Sequence, residues 1–324
     1  MGSILFLTLN TFSSTGGIED VCKTFCRVLS DIGKNFMVYS MNDTDSDDAF
    51  VKPLDFLGFK GNKIKFGFRA ILKGIKSDTI VLSHVNLLLF AKIIKLISPK
   101  KRIIMYAHGI EVWREINNWK KDFMINHTEI WAVSNFTAMD LQKRHKIPAE
   151  NIKVLNNCLN PFFEPPANFD KPAKLLRRYK INPQHPVLFT LTRISSTEKY
   201  KGYDIVINIL PELIKIYPSL QYIISGKADS KERDRLVRLI KKKGLRDHVF
   251  LTGFVDYSEL PDHFLLADCF VLPSKKEGFG IVFIESAACG CNVIAGNKDG
   301  STDALLDGEL GTLINPDDKE EVLV

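Results

Sequence analysis

The sequence has 324 residues, 45% of them hydrophobic and 25% charged, with a formal net charge of +6. That balance fits a soluble globular chain long enough for two domains of about 150 residues each, and it argues against a disordered or low-complexity protein. The charge is uneven: residues 1–160 carry 22 Lys/Arg against 15 Asp/Glu, whereas residues 161–324 carry 22 against 23.

In chain order, strand-like apolar runs fall at residues 4–10, 36–41, 79–83, 102–107, 129–134 and 152–155, with helix-like periodicity at 17–31, 86–97, 112–125 and 136–145. The first run starts with no basic region before it, so no signal peptide is expected, and no apolar run of about 18 residues predicts a spanning helix. Residues 156–172 break the pattern with four prolines and read as a linker, dividing the chain into domains at 1–160 and 161–324. The alternation then restarts, with strands expected at 187–192, 220–225, 249–252, 269–273, 292–295 and 311–314, and helices at 203–216, 231–243, 257–267, 281–289 and 301–306. Short apolar strands alternating with helices imply two doubly wound parallel sheets, an α/β fold of two Rossmann-like domains facing across a cleft. Ligands then belong at the C-terminal strand ends.

Four such ends carry chemistry. After the first strand, Gly16 and Gly17 lead into a helix, either as a close-approach loop for an anion or as a plain turn. After the fourth comes AHG with His108, either a site residue or a hydrogen-bonded structural one. The first strand of the second half runs into a polar loop holding Arg193, Lys199 and Lys201, which is either a solvated basic loop or a diphosphate clamp. The strand at 269–273 ends in SKKEGFGIVFIE, where Gly278, Phe279 and Gly280 open a helix whose first N–H groups, at Ile281 and Val282, suit a phosphate. Glu277 and Glu285, eight residues apart, repel phosphate and so read as acceptors for sugar hydroxyls or as solvated acids. The six cysteines, Cys22, Cys26, Cys158, Cys269, Cys289 and Cys291, lie mostly in apolar segments, which suggests buried thiols in a reducing cytosol; no His or Cys cluster completes a zinc site.

The motifs TGGIE (15–19), AHG (107–109), R(x)7KG (193–202), TGFV (252–255) and PS(x)2EGFG(x)4E (273–285), continued by ACGCNVIAG (288–296), resemble those of retaining glycosyltransferases of family four, which have the GT-B fold. The likeness spans about residues 15–314 and looks most like members that build polysaccharides and lipid-linked oligosaccharides, often from GDP-mannose. It implies that Glu277 holds hydroxyls of the donor sugar and Glu285 the ribose. Arg193 and Lys201 would neutralise the diphosphate, with N–H groups from Gly280, Ile281 and Val282. Gly16 and Gly17 would close over the phosphates, His108 would sit by the sugar near the acceptor, and Phe254 and Val255 would line the base pocket. The reaction expected is retaining transfer of a hexose to a hydroxyl of a glycan or polyprenyl-linked acceptor, with a nucleotide sugar as substrate, no cofactor and no metal. Asp303 stands where many relatives carry Glu, and Gly296 and Gly300 flank NKD where a glycine pair is usual. The fold normally continues past this point through helices that cross back onto the first domain, so the second domain is expected to lack them. An epimerase-type enzyme on nucleotide sugars and a non-catalytic nucleotide-sugar-binding protein are the alternative readings.

Two further stretches bear on partners. DTDSDD (43–48) offers a DxD pair of the kind that holds a divalent metal on a donor diphosphate, but among Ser, Thr and Asn it reads as a solvated loop. Residues 59–76 mix apolar side chains with Lys60, Lys63, Lys65, Arg69, Lys73 and Lys76, either as a surface for anionic membrane or as a solvated helix face. No recognition module accompanies this charge, so nucleic acid is not expected as a partner. The resulting expectation is a cytoplasmic enzyme, peripheral at the inner face of the plasma membrane.

Overall fold

The computed structural model describes residues 2–323, which form two compact units, one ending at Pro161 and the other beginning at Phe162. Among the described residues of the first unit, β1 (Ile4–Thr8), β2 (Phe36–Ser40), β3 (Phe56–Gly58), β4 (Thr79–Leu82), β5 (Arg102–Ala107), β6 (Glu129–Ala132) and β7 (Ile152–Val154) make one sheet, in the order β3-β2-β1-β4-β5-β6-β7. Every pairing is parallel. Its helices are α1 (Gly17–Asp31), α2 (Lys63–Lys76), α3 (Leu88–Ile97), α4 (Ile110–Trp113), α5 (Asn118–His127) and α6 (Asn135–His145). Strands such as ILFLT and TIVL are apolar apart from one terminal threonine each, because helices cover both faces of the sheet. The chain starts in the sheet's middle, runs to one edge and then crosses back, so the strand order reverses between β1 and β4.

In the second unit α7 (Ala173–Tyr179) precedes β8 (Val187–Leu191), and β9 (Gln221–Ser225), β10 (Val249–Gly253), β11 (Cys269–Leu272), β12 (Asn292–Gly296) and β13 (Thr312–Ile314) follow, in the sheet order β10-β9-β8-β11-β12-β13. The helices between are α8 (Tyr203–Ile216), α9 (Ser230–Lys242), α10 (Leu260–Leu266), α11 (Ile281–Ala288) and α12 (Ser301–Ala304), with α13 (Lys319–Leu323) last. The same reversal recurs here between β8 and β11. In doubly wound sheets that reversal opens a crevice at the strands' C-terminal ends, because helices leave to opposite faces there.

Several expectations are corrected. The helix expected at 112–125 is two, because the chain leaves helical conformation at Arg114 (φ −93°, ψ 167°) and restarts after Asn117. The three-residue strand β3 and the helix α7 were not foreseen. The expectation of a solvated loop at 43–48 fails at Asp43, which is fully buried, while Asp45, Asp47 and Asp48 are exposed. The basic stretch at 59–76 does form a helix, α2, capped by the Asn62 side chain accepting from Lys65 N. Its inner face is Phe66, Gly67, Ala70 and Gly74. A Cβ on Gly74 would lie 2.3 Å from Ile94 Cδ1 of α3, so these glycines let the two helices approach closely, which offsets their poor helix propensity.

Candidate functional site

In the second unit, the loop after β8 and the loop after β11 meet at the strand-order reversal. Gly202 (φ 84°) ends the first loop and starts α8, and a Cβ there would stand 2.3 Å from the Pro273 carbonyl oxygen. The Lys275 N–H donates to the Tyr200 carbonyl at 2.9 Å, so the two loops form one wall. On it Lys201 Nζ lies 2.6 Å from Glu277 Oε1, with 15% and 13% of the two side chains exposed. The aromatic ring of Tyr200 lies under the ammonium groups of Lys201 and Lys276, each 5.7 Å from its centroid.

Glu277 is held by its own backbone. Its N–H donates to Asp299 Oδ2 at 2.6 Å, and its carbonyl accepts from the Gly300 N–H at 2.8 Å. A Cβ on Gly300 would lie 2.1 Å from the Gly278 carbonyl oxygen, so only glycine permits this stacking of the two loops. Asp299 also accepts from the Ser301 N–H at 3.0 Å and is fully buried. Burial first, and then the charge of Glu277, push its carboxyl up to about 7. Sequence reasoning passed over Asp299 because nothing in NKDG marks an acid as buried.

Gly280 (φ 88°) opens α11, and any Cβ there would strike the Phe283 ring at 2.4 Å. The first N–H groups of this helix, at Ile281 and Val282, have no acceptor within the helix by its geometry, and the dipole makes them a seat for an anion. Phe279, just before Gly280, is buried. Glu285, one helical turn and more beyond Gly280, is buried, and Tyr257 Oη donates to its Oε1 at 3.4 Å. Arg193 is exposed and pairs with Glu198 at 3.1 Å, not with the Glu277 loop. Of the two residues expected at a base pocket, Val255 is buried and Phe254 is 62% exposed.

In the first unit the corresponding reversal is lined by the loop after β1 and by Ser83 and His84 after β4. His108, at the end of β5, is buried and holds the Ser83 carbonyl through Nε2 at 3.0 Å, which makes Nε2 the protonated nitrogen. Its backbone N–H donates to Glu111 Oε1 at 2.5 Å, and its ring stacks on Tyr106 at 5.7 Å. Burial lowers both His108 and His84 to about 4, so both are neutral imidazoles; burial raises Glu111. Gly17 has open space where a Cβ would be, so no steric demand explains glycine there.

Comparison with known proteins gives this arrangement a context. Residues 174–323 match the family "Glycosyl transferases group 1". Over 160 residues the chain is 33% identical to a GDP-mannose-dependent alpha-(1-6)-phosphatidylinositol monomannoside mannosyltransferase of Mycolicibacterium smegmatis, covering 47% of this chain and 40% of that protein. Over 177 residues it is 28% identical to an alpha-D-kanosaminyltransferase of Streptomyces kanamyceticus, covering 55% of this chain and 44% of that protein. These matches therefore span less than half of each relative. In three dimensions 99% of the chain superposes on 88% of Anabaena Alr3699/HepE, solved in complex with UDP and glucose, with a TM-score of 0.78 at 18% identity, a likeness of fold. WaaG, a glycosyltransferase involved in lipopolysaccharide biosynthesis, matches 98% of the chain with a TM-score of 0.70 at 17% identity. Residues 174–323 are a glycosyl transferases group 1 domain, in a chain whose two parallel-sheet units have the fold of GT-B glycosyltransferases.

Proposed function

We propose that this protein transfers a hexose, with GDP-mannose the favoured donor, from a nucleotide sugar to a hydroxyl of a glycan or lipid-linked acceptor in the synthesis of cell-surface polysaccharide. The observation that carries this reading is the wall formed by Lys201 and Glu277 against the start of α11, with Glu285 on the same helix. An ammonium and a row of helix N–H groups suit a diphosphate, and the two carboxylates suit the hydroxyls of a sugar and a ribose. Arg193, exposed and close by in sequence, can turn from Glu198 to the diphosphate. Val255, Phe254, Gly278 and Phe279 complete the donor residues, and on the first unit His108, Gly16 and Gly17 are the residues assigned to sugar and phosphates.

The chemistry breaks the bond between the sugar's anomeric carbon and the diphosphate oxygen and forms one to the acceptor oxygen. Charge grows on the leaving diphosphate, where Lys201, Arg193 once turned from Glu198, and the helix N–H donors stabilise it, so no metal is required. The Glu277 carboxylate is engaged by Lys201, which disfavours it as a covalent nucleophile. The acceptor hydroxyl then attacks from the diphosphate's own face, its proton passing to a diphosphate oxygen, and the anomeric configuration is retained. His108, neutral, offers a hydrogen bond rather than a charge.

The acceptor side is read from α2. Its outer face exposes Ile64, Phe68 and Leu72 between Lys63, Lys65, Arg69 and Lys76, the pattern of a helix lying on anionic lipid. Among the described residues no helix is long and apolar enough to cross a membrane. The deciding experiment is a thermal-shift panel of GDP, UDP, GDP-mannose and UDP-glucose, followed by transfer from the labelled sugar that binds. Stabilisation by one nucleotide that is lost in Lys201→Ala and Glu285→Ala supports the reading, and no shift with any nucleotide sinks it. An inverted product would overturn retention alone.

A further inference from the structure

In doubly wound sheets the loop after the first strand, at the strand-order reversal, gathers backbone N–H groups that converge on a ligand anion. Here that convergence is already occupied from within. The N–H groups of Thr11 and Phe12 donate to Asp43 Oδ2 at 2.7 and 3.2 Å, and that of Ser13 to Oδ1 at 2.8 Å. The Ser40 hydroxyl donates to Oδ2 at 2.6 Å, and the Ser13 hydroxyl to Oδ1. Among the described residues no Lys, Arg or His forms an ion pair with this fully buried carboxylate, which is met by N–H and O–H donors. The backbone of Asp43 is fixed as well: its carbonyl accepts from the Lys60 N–H at 3.0 Å, and a Cβ on Gly58 would stand 2.4 Å from that same oxygen.

We propose that Asp43 is an internal anion that presets the loop after β1, and so is a positioning residue for the Gly16–Gly17 turn. This rests on the reading that the turn serves the donor's phosphates. The N–H groups of Thr11, Phe12 and Ser13 are taken, so a bound phosphate must be served by the residues after them, from Ser14 to Gly17 and the start of α1. The loop is therefore ordered before any ligand arrives, which removes an ordering cost from binding. An amide at position 43 could not substitute, since its NH2 would face an N–H donor and leave one of the three loop donors unpartnered.

The test compares wild type with Asp43→Asn and Asp43→Ala by amide hydrogen exchange at residues 11–13 and by donor KM and kcat. Expected are faster exchange at those three amides and a donor KM raised on the order of tenfold to a hundredfold, with a smaller change in kcat. Formate at millimolar concentration, filling the space left in Asp43→Ala, is expected to restore part of the protection and part of the KM, with no effect on wild type. If Asp43→Ala does not fold, Ser40→Ala, which removes a single donor, is expected to shift exchange in the same direction more weakly. Unchanged exchange in Asp43→Asn overturns the proposal outright. Faster exchange with an unchanged KM overturns the link to the donor, while the donor site of the second unit stands or falls separately on Lys201→Ala.

Discussion

Lys201 and Glu277 form a 2.6 Å ion pair across two loops that are 76 residues apart in sequence, and the pair is mostly shielded from water. Removing one partner strands the other, whereas removing both does not. Lys201→Met is expected to lower stability by about 1–3 kcal/mol and Lys201→Met with Glu277→Gln by clearly less, measured by urea denaturation of the single and double variants. Additive losses would mean that the pair is not coupled.

A second expectation concerns Asp299, whose carboxyl is raised to about 7 from an ordinary 3.8 by burial and by Glu277. The folded state thus binds its proton more tightly than the unfolded chain does. Stability from this group is greatest below about pH 4 and is lost as pH rises through about 7. Asp299→Asn removes that slope, so the melting temperature of the wild type should fall relative to the variant's between pH 5 and 8. Parallel curves would refute it.

The two histidines of the first unit work in the opposite direction. Burial depresses His84 and His108 to about 4, so the unfolded chain takes up protons first as pH drops. Their contribution is present above about pH 6.5 and is lost on acidification toward 4. Denaturation midpoints at pH 5 and 7 check this: His84→Asn should flatten the acid limb. A further consequence is that His108 adds no titration to activity between pH 6 and 8.

The outer face of α2 gives a fourth test. Phe68 is 64% exposed, so Phe68→Glu should leave stability within about 0.5 kcal/mol while weakening sedimentation with anionic vesicles. Neutral vesicles are the control, and equal binding to both would remove the membrane reading.

The two sheets were legible because fully buried parallel strands are written as short apolar runs, and the alternation with helices dictates their pairing. The glycine and acid motif at 277–285 was legible for a similar reason: strand, loop and helix are contiguous there. What escaped was long-range. Asp43 sits in an acidic, polar run that reads as solvated, and its burial depends on N–H groups about 30 residues earlier that no local pattern reveals. Asp299 is hidden in the same way, made by a loop stacked on the loop of Glu277. The break at Arg114 was missed because residues 112–125 keep apolar spacing across a non-helical link.

The turn at residues 59–61 belongs to two things at once. Phe59 N–H donates to the Ser40 carbonyl at 3.0 Å, Lys60 N–H to Asp43 at 3.0 Å and Gly61 N–H to Met41 at 2.8 Å, and the next residue, Asn62, caps α2. Lys60 and Gly61 both hold left-handed backbone, at φ 51° and 80°, so the turn has little room to adjust. Substitutions here cannot be assigned to one end of the first unit: a β-branched residue at 61 should disturb both the foot of the helix that faces solvent with its lysines and the seat of the acid beneath the loop after β1. Correlated losses at both places, from a single change in neither, are the mark such a shared joint would leave.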